Sequence, residues 1–156
     1  QVREALVRFA DEHGLDTLAD LWSRAHPLSL PGALWRLYLV RAVVHHNPHD
    51  TAQLFQKGVD GLHTIDALVA GAPDPLSAEG FSDVLDDILM GAFDGELAHA
   101  LERAAAVATA VSAGAISLAL SDDREASYLT SRSLKWSVIA QELEGCASRA
   151  RKGTLS

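Results

Sequence analysis

The sequence predicts an all-α protein, a multi-helix bundle that ends in a long C-terminal antiparallel helical hairpin. Three observations carry this reading. The chain holds 26 Ala and 23 Leu against 21 Val, Ile and Thr together, a balance that favours helix over strand. Apolar residues recur at spacings of three and four, and no stretch alternates at period two for long enough to make a strand. Gly and Pro fall mostly between the apolar runs, where they act as stops. The 156 residues suit a single all-helical domain, with short helices over 2–90 and a helical hairpin over 94–151.

Taken in order, segment 2–13 places Val2, Leu6, Phe9 and Ala10 on one stripe before Gly14. Segment 16–26 starts at Asp16 as N-cap, carries Leu18, Leu21 and Trp22, and breaks at His26–Pro27. Pro31 suits the first turn of a helix over 32–46, which is apolar almost all round except for Arg36 and Arg41. Such a helix is expected at the centre of the bundle, closed by Asn47–Pro48. Two short helices follow, 49–57 ending at Gly58 and 60–70 ending at Gly71, and Ala72-Pro73-Asp74-Pro75 makes a loop. Ser77 opens a helix over 77–90 with Phe81, Val84, Leu85, Ile88 and Leu89 inward, and Gly91 ends it.

The C-terminal half is the most regular. Leu97, Leu101, Ala104, Ala108, Val111, Ala115 and Leu118 recur at four and three, as do Leu129, Arg132, Trp136, Ile139, Leu143, Cys146 and Ala150. Ser121-Asp122-Asp123-Arg124 separates the runs, with Asp122 or Asp123 as the cap of the second helix. One arm is lined by Ala and the other by large residues, so the two helices can approach closely. Residues 104–121 carry no charge, which reaches the lower bound for a membrane span. Eight of those residues are Ala, and no aromatic belt flanks them, so a buried helix of a soluble protein is the better reading.

Composition narrows the function classes. Thirteen Lys and Arg against 21 Asp and Glu give a formal charge of −8, and Arg149, Arg151 and Lys152 form the only basic cluster. That argues against nucleic acid, whose phosphates require a basic surface. A single Cys146 fits a reducing, cytoplasmic compartment, and its place on the apolar seam marks an inert thiol. There is no G-x-S-x-G, no G-x-G-x-x-G and no phosphate loop, so no catalytic residue is assigned and the chain reads as non-enzymatic. No cofactor is implied.

Two constellations remain. Asp60 with His63, and Glu96 with His99, each place a carboxylate and an imidazole three residues apart on one helical face. Two such pairs on facing helices build a di-metal carboxylate site, with Asp83, Asp86 and Asp87 between them in sequence. Asp60 departs from the Glu of that pattern, and acids and imidazoles at helix ends also serve the helix dipole. A denser group, His45-His46-Asn47-Pro48-His49-Asp50, splays its first two imidazoles about 100° apart on a helix end. The second constellation is Trp35, Tyr38, Arg132 and Trp136, candidate lining for a small-molecule pocket between helices. Arg132 interrupts an apolar seam, so it must reach solvent, pair with an acid or meet a ligand.

The segment Leu30-Pro31-Gly32-Ala33-Leu34-Trp35-Arg36-Leu37-Tyr38-Leu39-Val40-Arg41 resembles one in a group of small all-helical proteins of high-GC actinobacteria. By helix order the likeness extends over most of residues 5–120. It implies a bacterial cytoplasmic protein and carries over no catalytic residue. The leading expectation is a helical module that acts through protein contacts, most simply as a homodimer packed through its hairpin. The alternatives are a small-molecule-binding bundle resembling the ligand domains of helical regulators and a di-metal carboxylate bundle.

Overall fold

The computed structural model describes residues 23–62 and 77–156. The expected helix 2–13, residues 16–22 of the next, residues 63–70 and the loop at 72–75 lie outside the described residues. Five helices are described: α1 (Leu30–His46), α2 (Pro48–Leu62), α3 (Ala78–Phe93), α4 (Leu97–Ser121) and α5 (Ala126–Arg151). The described residues contain no strand, and the architecture is an all-α bundle with α4 and α5 as its C-terminal hairpin.

Local chemistry sets the helix ends. Ser29 starts α1, its Oγ accepting from the Gly32 N–H at 3.1 Å, with Pro31 in the first turn. Ser77 does the same for α3 through the Gly80 N–H at 2.9 Å. Two ends use glycine at positive φ. Gly95 (φ 95°) follows α3, and the Glu96 N–H reaches the Gly91 carbonyl at 3.0 Å. Gly153 (φ 71°) follows α5, and the Thr154 N–H reaches the Arg149 carbonyl at 2.9 Å. Both are six-to-one Schellman closures, which only a left-handed residue permits.

Several elements differ from the sequence reading. α3 runs through Gly91 to Phe93, because the Schellman stop is built at Gly95 instead. The helix following α1 continues unbroken through Gly58 to Leu62. Gly58 lies helical against α4, where an added Cβ would overlap the Ala110 carbonyl oxygen, so packing overrides its tendency to stop a helix. Neither Asp122 nor Asp123 caps α5. The Asp122 carboxylate accepts from the Arg124 N–H at 3.1 Å, closing a local turn, and Glu125 stands at the N-cap without a side-chain bond.

The central helix is α4 rather than α1. α4 touches all four other helices, and Leu101, Ala104, Val107, Ala108, Val111 and Ala115 are fully buried. α1 buries Gly32 and the stripe of Ala33, Leu34, Leu37, Val40 and Val44 and leaves Trp35, Leu39 and Val43 half-buried. α4 is also the one helix among the described residues long and apolar enough to cross a membrane by length and composition. Its small side chains let α2 and α5 approach closely from two directions. On the α2 side, Gly114 meets the Leu54 carbonyl and Gly58 meets the Ala110 carbonyl. On the α5 side, Ser112 Oγ donates to the Ser133 carbonyl at 2.8 Å, and Ser133 Oγ donates to the Ser112 carbonyl at 2.9 Å.

The seam of α5 is broader than the heptad reading. Leu129, Trp136, Leu143 and Cys146 are buried as expected, joined by Ser133, Ala140 and Ala147, while Arg132 and Ile139 sit half-buried at its margin. Phe55 and Phe81 close the α2–α3 side with ring centroids 5.0 Å apart. Burying each such side chain contributes about 1.5–3 kcal/mol. Ion pairs then tie neighbouring helices at their edges. Arg36 Nη2 lies 2.7 Å from Glu142, Arg41 Nε 2.7 Å from Asp86, Arg103 Nη1 2.9 Å from Asp87, and Arg151 pairs with Glu102.

Candidate functional site

The four pocket candidates separate into two places. Arg132 and Trp136 line one cleft of about 380 Å³ between α1 and α5. Leu39, Val40 and Val43 of α1 form its opposite wall, and Ile139 continues the α5 wall. Asn47, Tyr128 and Lys135 add polar groups at the edge. Trp35 and Tyr38 do not line this cleft; they stack on each other with centroids 5.9 Å apart and planes inclined by 28°. One turn apart on α1, they face away from Val40. Trp136 is 4% exposed and serves the core with one face while bordering the cleft.

Arg132 is half-buried and reaches solvent through two clefts without pairing with a described acid. Its guanidinium lies over the Tyr128 ring, 5.7 Å from the centroid. Among the described residues it has no carboxylate partner, although Arg36, Arg41, Arg103 and Arg151 each pair with an acid on another helix. Arg132 and Tyr128 also wall a second cleft of about 260 Å³, where Asp50 of α2 and Glu125 before α5 carry the acids.

The metal constellation does not assemble among the described residues, which contain no group of three or more His, Cys, Asp or Glu able to hold an ion. His63 lies outside the described residues. Asp60 falls in the last turn of α2, not the first turn of a new helix, and accepts from Gln56 Nε2 at 2.9 Å. Glu96 and His99 are exposed at the start of α4. The Gly58–Ala110 and Leu54–Gly114 contacts make α2 and α4 antiparallel and set Asp60 level with Ala108. Glu96 is then about 18 Å further along the axis, too far to share an ion with Asp60. In the His45–Asp50 stretch, His45 Nε2 lies 2.9 Å from Asp86 Oδ1, while His46 and His49 are exposed.

The titratable groups support a structural reading. Burial raises the Asp86 carboxyl, but hydrogen bonds from Arg41 and His45 outweigh it and hold the group below its ordinary value. Burial pushes the Cys146 thiol up, and its Sγ donates to the Pro27 carbonyl at 3.2 Å, which leaves a poor nucleophile. Every buried side-chain nitrogen or oxygen among the described residues has a hydrogen-bond partner.

A second surface was hidden in the sequence. Two adjoining grooves of about 390 and 400 Å³ run along the outer side of the α4–α5 hairpin and share Thr109 and Glu144. Their α4 lining follows Glu102, Ala106, Thr109, Ala113 and Ile116, and Leu120 extends the same spacing. On α5, Ser137, Gln141, Glu144 and Ser148 line them, and Leu134 lies one turn before Ser137. These are heptad stripes parallel to the buried seam. The run 104–121 is uncharged throughout, so its periodicity selects no single face and the outer stripe carries no separate signal. The cleft residues were more legible: Tyr128, Arg132, Lys135 and Ile139 recur at four, three and four beside the α5 seam. Comparison with protein-family models, curated proteins and solved structures finds no match to this chain.

Proposed function

We propose that the chain is a non-enzymatic helical module that acts through protein contacts, self-associating through the outer side of the α4–α5 hairpin. One observation carries the reading. Each hairpin helix presents a second stripe at four-three spacing, and together they make the two-helix face that half of a four-helix bundle offers. Large apolar side chains stand exposed on it: Ile116 at 40%, Leu120 at 83% and Leu134 at 64%. From Glu102 to Leu120 the face is about 27 Å long, and two helices make it about 20 Å wide. Two copies would cover about 1,000 Å², the threshold for a specific interface.

A twofold pairing is the simplest closed arrangement for such a face, because the same patch serves both copies. The free thiol of Cys146 suits a reducing compartment, which supports a cytoplasmic location for the module. The test is light scattering on untagged wild type and on Ile116→Lys/Leu134→Lys, both exposed positions. A wild-type dimer that the double variant turns into a folded monomer is the expected result. A wild-type monomer at high micromolar concentration refutes the reading.

A further inference from the structure

The cleft between α1 and α5 is a different surface from the hairpin face, and the Arg132 environment gives it a chemistry. In a chain of formal charge −8, the described arginines that reach into helix junctions pair with acids. Arg132 does not, although it is half-buried, and Lys135 one turn away likewise has no carboxylate partner among the described residues. Both border a cleft whose remaining walls are mostly apolar, with Val43, Trp136 and Ile139 among them. Arg132 is half-buried beside apolar walls with no ion-pair acid among the described residues, and the exposed Lys135 adds a second positive charge at the rim, so an anion in the cleft would meet both.

We propose that this cleft binds an amphipathic organic anion, a carboxylate or sulfonate carried on an aromatic or aliphatic body. The anionic head lies at Arg132 and Lys135, and the body runs between Val43 and Trp136 toward Ile139. From Arg132 to Ile139 is about 10 Å along α5, room for a two-ring aromatic or a medium-length alkyl chain. The volume of about 380 Å³ falls at the lower end of small-ligand pockets. Asp50 and Glu125, beyond Tyr128 and Arg132, border the neighbouring cleft and set the sign test: they favour a cationic ligand there.

The experiment titrates the full chain with 1-anilinonaphthalene-8-sulfonate, read by fluorescence, and displaces it with decanoate, decan-1-ol or decyltrimethylammonium. The expected result is one saturable site from which decanoate displaces the probe at least about tenfold better than the alcohol or the cation. Arg132→Gln/Lys135→Gln weakens the sulfonate and decanoate by about tenfold or more and leaves decan-1-ol unchanged. Val43→Trp fills the cleft and abolishes saturable binding with an unchanged far-ultraviolet circular dichroism spectrum. Ile116→Lys/Leu134→Lys, on the hairpin face, binds as wild type does. Unsaturable binding, equal displacement by acid and alcohol, stronger displacement by the cation, or wild-type affinity in the Arg132→Gln/Lys135→Gln variant overturns the proposal.

Discussion

Gly114→Ala tests the closest contact in the fold. Taken alone, α4 gains from this change, because alanine is about 1 kcal/mol more favourable than glycine inside a helix. The packing reverses the sign. A Cβ on Gly114 would overlap the Leu54 carbonyl oxygen and lie 2.6 Å from the carbonyl carbon and 3.0 Å from the Cα of the same residue. These are backbone atoms within α2, so no rotamer change relieves them, and the whole helix must shift by roughly 1 Å or more. A shift of that size forfeits a quarter to a half of each dispersion contact it opens, including those of Phe55, which is 1% exposed. Overpacking of this kind costs up to about 3 kcal/mol, and subtracting the helix gain leaves a net loss of about 2 kcal/mol. For a chain of this length that lowers Tm by about 4–8 °C.

Urea unfolding followed by circular dichroism measures the loss, with the slope checked against wild type. Gly91→Ala is the matched control, since the nearest atom its Cβ meets is Glu96 Oε2 at 4.0 Å. It should stabilise by about 0.5 kcal/mol. Gly58→Ala should destabilise as Gly114→Ala does, and the double variant should cost less than the sum, because one displacement of α2 relieves both overlaps. A Gly114→Ala protein as stable as wild type refutes the close crossing.

Three further outcomes follow from the packing. Glu142→Gln should cost about 1–3 kcal/mol in urea unfolding, because Arg36 donates from Nε and Nη2 to one Glu142 oxygen and is left half-buried without its acid. Replacing both partners with methionine should recover much of that loss. Asp86 has a folded pKa below its ordinary 3.8, so its contribution to stability is present above that pH and is lost as pH falls through the folded value. Thermal melts of Asp86→Asn should therefore lie below wild type near neutrality and converge with it in acid; a constant gap excludes the linkage. Cys146, fully buried with its thiol pKa raised by burial, should react with a disulfide reagent only when the chain opens. Rapid labelling in native buffer would contradict that burial.

The hairpin was legible because Leu101, Leu129 and Leu143 mark its seam beside polar neighbours, and the positions are buried in the structure. The helix start at Ser77 belongs to the same class, since capping depends on residues within three positions, whereas the cap at Ser29 starts α1 two residues before the expected 32–46. What local sequence could not supply was which glycine ends a helix. Gly58, Gly91 and Gly95 carry the same side chain, and only Gly95 adopts positive φ; Gly58 stays helical because α4 packs on it. The central position of α4 was obscured for a related reason. Residues 32–46 carry the larger apolar side chains, but closeness of approach depends on side-chain size, and α4 carries the smaller ones. At the cleft, Arg132 and Trp136 were legible as a break in the seam, whereas the missing acid partner is a property of three dimensions.

Size also separates what α4 needs for its fold from what it offers outward. Small residues facing α2 and α5 are required, because Gly114 and Ser112 stand against the neighbouring backbones. Thr109 and Ala113, by contrast, are half-buried along the outer groove. A helix face that met only water would usually carry Lys and Glu, which add solubility and i,i+4 support at no packing cost. Keeping that α4 face uncharged from Ala106 to Leu120 fits a contact made after folding. Thr109→Glu/Ala113→Glu separates the two demands. Glutamate is a better helix former than threonine, and both positions are only half-buried in an open groove, so monomer stability should stay within about 0.5 kcal/mol of wild type. The same carboxylates in a twofold interface would confront their copies near Glu144 and abolish association. Sedimentation equilibrium beside urea unfolding reads both quantities. A folded, equally stable monomer is the expected result. If the variant still associates, the contact lies elsewhere; if it unfolds, the outer stripe belongs to the fold.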